Sequence, residues 1–129
     1  MSPAFLFRHP LTKMTNFMDW NFIKMIKHSA HITIGSDWIG NAPASLLEHC
    51  GNVIDDIDQA TGGKGGEALC KMLTLNGAQA VGREKDLGSI EVGKKASFIA
   101  VSRDLSAGEF RDAKVLKTWF EGELIWAEQ

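Results

Sequence analysis

The sequence predicts an α/β chain: one buried strand between helices over about residues 17–82, then a β-rich stretch over about 83–129. Three observations predict it. Apolar residues recur at helical spacing on both sides of the run Ala30-His31-Ile32-Thr33-Ile34-Gly35. That run is itself β-branched and stopped by glycine, and after Gly82 the helical period gives way to turns and short apolar runs. A lone strand has nothing to pair with, so the first half reads as a slice of a larger α/β sheet.

Taken in order, residues 1–16 are irregular, because Pro3 and Pro10 forbid a continuous helix and Thr12, Thr15 and Asn16 form turns or caps. Asp19 is positioned to cap a helix with Phe22, Ile23, Met25 and Ile26 inside and Lys24 and Lys27 outside. The apolar residues of 30–35 are too continuous for a half-exposed edge strand, and Ser36 to Pro43 is a loop. Leu46, Leu47, Cys50, Val53, Ile54 and Ile57 follow helical spacing, with a weak point at Gly51-Asn52. Thr61-Gly62-Gly63-Lys64-Gly65-Gly66 reads as a flexible interhelical loop; it lacks the spacing and the Ser or Thr after lysine of a phosphate loop. A helix is then expected from Glu67 to about Val81, with Leu69, Met72, Leu73, Gly77 and Ala80 on one face and Gly82 as its stop. Residues 86–94 suit turns. Residues 97–102 predict a strongly buried strand, and 114–120 and 123–126 a hairpin joined at Glu121-Gly122.

Composition narrows the function classes. The 129 residues carry 14 Lys and Arg against 16 Asp and Glu, and 44% are hydrophobic. That is material for one ordinary core, and the balanced charge argues against disorder and against nucleic acid as the main partner. No stretch approaches the roughly 18–20 consecutive apolar residues of a membrane span, and Ala4-Phe5-Leu6-Phe7 is too short for a signal-peptide core. A complete (β/α)8 barrel needs about 250 residues and is excluded by length. Cys50 and Cys70 sit in no CxxC pair; as small apolar residues they suit a core, with a disulfide or a metal ligand as the other readings. A reducing cytoplasm is the expected location.

The most suggestive local chemistry is Thr33-Ile34-Gly35-Ser36-Asp37-Trp38, which puts a carboxylate just past the C-terminal end of a buried strand. In parallel α/β folds ligands and catalysis collect there. The other reading is that Ser36 or Asp37 simply caps a turn. The four histidines, His9, His28, His31 and His49, offer none of the usual zinc spacings, and no G-x-S-x-G elbow occurs. Trp20, Trp38, Trp119 and Trp126 suit core or interface positions.

Four segments then carry a resemblance: Ile34-Gly35-Ser36-Asp37-Trp38; Met72 to Gly82 with its Thr-x-Asn-x-Ala-x-x-x-Gly pattern; Leu87 to Val101 with Gly-Ser-Ile-x-x-Gly-Lys-x-Ala; and Phe120 to Trp126. In this order, over about 110 of the 129 residues, the chain resembles the C-terminal end of a metal-dependent amidohydrolase of the amidohydrolase-3-type branch. The resemblance implies that residues 1–82 are the C-terminal remnant of a TIM-like (β/α)8 barrel, with 30–35 its last strand. Residues 83–129 would be the C-terminal part of a small composite β-sandwich. It implies that Asp37 binds the metal and acts as base toward the water that the metal activates, then passes the proton to the leaving nitrogen. A divalent metal, zinc by the family's habit, and a small amide-type substrate follow for the parent enzyme. The family usually has Asp where Ser97 stands, which weakens a turn but touches no chemistry.

The family's H-x-H pair, its bridging lysine or glutamate and its other histidines have no counterpart in this sequence. One aspartate cannot hold a catalytic metal that needs three or more protein ligands. The chain is therefore expected to be a C-terminal fragment of a C–N hydrolase, inactive and metal-free alone, with Asp37 its one catalytic and metal-binding residue. The alternative is a non-catalytic regulatory or binding module on the same scaffold, which the coding sequence upstream of Met1 would distinguish. A strand cut from its neighbours also predicts a homodimer or a strand-exchanged oligomer.

Overall fold

The N-terminal helices are short because each is bounded by its own turn chemistry. In the computed structural model, which describes residues 21–35 and 45–129, α1 spans Phe22–Lys27 and is capped by Asn21, whose Oδ1 accepts the Lys24 N–H at 2.8 Å. The expected Asp19 cap, the irregular 1–16 stretch, His9, Trp20, Trp38, the loop 36–43 and Asp37 lie outside the described residues. The weak point at Gly51-Asn52 is a real break. It separates α2 (Leu46–Gly51), capped by Ser45, from α3 (Ile54–Thr61), and the Asn52 and Val53 N–H groups turn back to His49 and Cys50 carbonyls.

Gly62 ends α3 in the left-handed conformation, φ 66°, where a residue with a Cβ would be strained. The rest of the glycine-rich stretch is not simply a loop, contrary to the sequence reading. Gly65 and Gly66 are buried and open α4 (Gly65–Leu73). A Cβ on Gly66 would collide with the Ser106 carbonyl oxygen and come within 2.7 Å of the Leu105 oxygen; one on Gly65 would lie 2.7 Å from the Asp58 backbone. The glycines are there for close approach of backbones.

The single helix expected from Glu67 to Val81 is two. Thr74, at φ −120° and ψ −89°, interrupts it, and α5 spans Leu75–Ala80. The interruption changes the phase of the buried face, so Ala78 rather than Ala80 is buried, while Leu69 and Met72 keep their expected positions. Gly82 stops the chain at φ 67°, as expected, with the Arg83 N–H reaching back to the Ala78 carbonyl at 2.8 Å.

The second half forms a three-stranded antiparallel sheet in the order β1 (Phe98–Val101), β2 (Val115–Phe120), β3 (Glu123–Ala127). Phe98 faces Trp119 across β1 and β2, and Phe120 faces Glu123 across the hairpin. Glu121 and Gly122 have φ of 49° and 91°, both positive as a tight two-residue hairpin turn requires. The strand expected to be strongly buried is not: Phe98 and Ile99 are exposed and Ala100 and Val101 half-buried, because no second layer among the described residues covers the sheet.

The core lies among the helices. Helix α1 packs on α3, α3 on α4, and α4 on α5. Ile32, Ile34, Leu47, Val53, Ile54, Ile57, Leu69 and Met72 meet there, joined by Phe110 and Ala113 from the loop before β2. Cys50 is fully buried among them and Cys70 is half-buried; both thiols are free, in line with the apolar reading.

Candidate functional site

Residues 30–35 form no ladder with another strand among the described residues, so their hydrogen bonds go elsewhere. The Ile34 N–H donates to the Met72 carbonyl at 3.3 Å, and the Asn76 side-chain amide donates to the Ile32 carbonyl at 2.9 Å. His31 Nε2 lies 3.0 Å from the Asn76 carbonyl oxygen, an acceptor, so this ring nitrogen carries the proton. Ile32 and Ile34 are buried while His31 and Gly35 are exposed. The segment therefore has the alternation of a strand with one covered face, not the continuous burial expected of it.

The Thr-x-Asn-x-Ala pattern is the hardware of this attachment. Thr74 Oγ1 donates to the Cys70 carbonyl at 2.7 Å and closes the end of α4. Asn76, one residue into α5, then reaches residues 30–35. Ala78 is small because the Gly88 turn presses on it: a Cβ on Gly88 would be 2.7 Å from the Ala78 Cβ. Sequence reading had assigned no contact to Asn76; the available signal was a carboxamide two residues past a helix-breaking threonine.

The Gly-Ser-Ile-x-x-Gly-Lys pattern closes a turn. Lys94 Nζ donates to Ser89 Oγ at 2.6 Å and pairs with Glu91 at 3.2 Å, while the Ser89 hydroxyl donates to the same carboxylate. The Ser89 hydrogen bond first, then Lys94, holds the Glu91 carboxyl below its ordinary value. Ser97 Oγ accepts the Glu121 N–H at 3.0 Å and so ties the entry of β1 to the hairpin turn. Lys95 pairs with Glu121 over the same hairpin end. Between this turn and the open sheet face lies a cavity of about 510 Å3, walled by Thr74, Ile90, Lys94, Phe98, Ile99 and Trp119.

No described residue makes a metal site. Among the described residues no three His, Cys, Asp or Glu side chains converge as a cation would require, and by themselves they do not fit a divalent metal. His28 and His31 are exposed and His49 is buried at 3% exposure on α2. Burial, and secondarily the neighbouring Cys70, pushes the Cys50 thiol up to about 12, and burial raises Cys70 as well, so neither is an activated thiolate. The candidate site is thus the end of residues 30–35. Asp37 follows Gly35 by two residues in the sequence and lies outside the described residues.

The family model described as the amidohydrolase family matches residues 20–125. The chain belongs to the amidohydrolase family. Among curated amidohydrolase relatives, N-substituted formamide deformylase of Arthrobacter pascens is 44% identical over 61 residues, covering 45% of this chain and 11% of the relative. N-acetylglucosamine-6-phosphate deacetylase of Vibrio furnissii is 40% identical over 55 residues, covering 43% of this chain and 12% of the relative. Among solved structures, an adenosine deaminase from Xanthomonas campestris with bound zinc superposes with a TM-score of 0.65 at 23% identity, over 91% of this chain and 30% of that one. An amidohydrolase from Thermotoga maritima gives 0.58 at 23% identity, over 95% and 29%, and E. coli guanine deaminase 0.65 at 16%, over 99% and 33%. These structures share the fold of this amidohydrolase chain, which spans at most a third of their length. Among the described residues no helix is long and apolar enough to cross a membrane.

Proposed function

We propose that this chain is the C-terminal part of a metal-dependent hydrolase of the amidohydrolase-3-type branch, acting on non-peptide, amide-type C–N bonds of a small molecule. The family match over residues 20–125, a span that contains Asp37, carries this reading. The two curated relatives are named as a deformylase and a deacetylase, both C–N hydrolases, which supports the bond class. In this reading residues 1–82 are the last strand and helices of a TIM-like barrel, and 83–129 the C-terminal strands of a composite β-sandwich. A cytoplasmic location suits its two free thiols.

Asp37 is the carboxylate this segment lends to the active centre. It is one ligand of a divalent metal, zinc being the ion bound in the Xanthomonas campestris neighbour, and the other ligands come from chain beyond these residues. When bound, such a metal lowers the pKa of a coordinated water toward neutrality. The work of Asp37 itself is to hold a proton and return it to the leaving nitrogen, which suits a carboxylate at the mouth of a site.

The test is Asp37→Asn in a catalytically active chain that contains these residues. The amide keeps the shape of the carboxylate but cannot act as a base, so kcat should fall roughly 100- to 10,000-fold with the melting temperature unchanged. Near-normal turnover overturns the role. The 129 residues alone should neither hold stoichiometric metal nor turn over an amide, and finding both overturns the fragment reading.

A further inference from the structure

We draw no further inference here: the strongest candidate, the exposed apolar face of the three-stranded sheet with the cavity of about 510 Å3 that Ile90, Phe98, Ile99 and Trp119 help to wall, carries nothing because no observation in the structure shows what covers it.

Discussion

The helical layer and the sheet solve the same problem to different degrees. Residues 21–35 and 45–82 bury apolar side chains against one another and borrow Phe110 and Ala113 to finish the job. The sheet has no such partner among the described residues. Every residue of β3 is exposed, including Leu124, Ile125 and Trp126, and Ile90 and Val92 in the turn before β1 are exposed as well. Hydrophobicity is similar in the two regions. What differs is whether a second layer exists to receive it, since a sheet needs something to pack against. The lesson is that the helices bury their apolar faces largely among themselves, while the sheet's apolar residues have no covering layer among the described residues.

The largest expected effect breaks this contrast at its weakest point. Phe110 is the sheet region's deepest contribution to the helical core, with no exposed surface. Phe110→Ala should cost about 3–5 kcal/mol, measured by urea unfolding followed by helical circular dichroism. A loss below about 1 kcal/mol would mean the helices hold their core without help.

The next effect sharpens the same point through pH. The Cys50 thiol is raised from an ordinary 9.0 to about 12, by burial first. The folded chain keeps its proton where the unfolded chain loses it, so the contribution is intact below about pH 9. It should drain away at up to about 1.4 kcal/mol per pH unit as pH rises toward 12. Cys50→Ala should flatten that part of the stability curve; an unchanged slope would show that alkaline sensitivity comes from elsewhere.

The smallest effect concerns the open face. Ile125→Thr should change stability by no more than about 0.5 kcal/mol, since its side chain is already exposed. If the homodimer expected from the sequence forms through this open sheet face, the same change should shift light scattering at high concentration toward monomer. A monodisperse wild-type monomer would set that association aside.

Much of this was legible in the sequence because it is local. The hairpin at Glu121-Gly122, the stop at Gly82 and the break at Gly51-Asn52 follow from glycine and turn chemistry, and the structure has each of them. The burial of Leu69 and Met72 followed from spacing. What failed depends on partners distant in sequence. A helical period cannot reveal that Thr74 interrupts α4, because the phase slip serves a contact with Ile32, 44 residues away. Nor can it tell a flexible glycine from one pressed against another backbone, as Gly65 and Gly66 are. Residues 97–102 read as buried because their apolar run is continuous, and a run of that kind does not say whether a second layer lies over it. Of the candidate site, Asp37 is a reading of the sequence alone, from its place after the run 30–35 and from family likeness, and it lies outside the described residues, whereas the contacts of Asn76 emerge only in three dimensions.

The seat of Gly66 has one more consequence. Where its side chain would project stand the peptide groups of Leu105, Ser106 and Gly108. No choice of residue can therefore widen, narrow or lubricate that joint without moving main chain. The distance from the start of α4 to the loop at 105–108 is therefore set by main chain against main chain. Substitutions can accumulate around this contact while the approach of α4 to the 105–108 loop stays the same.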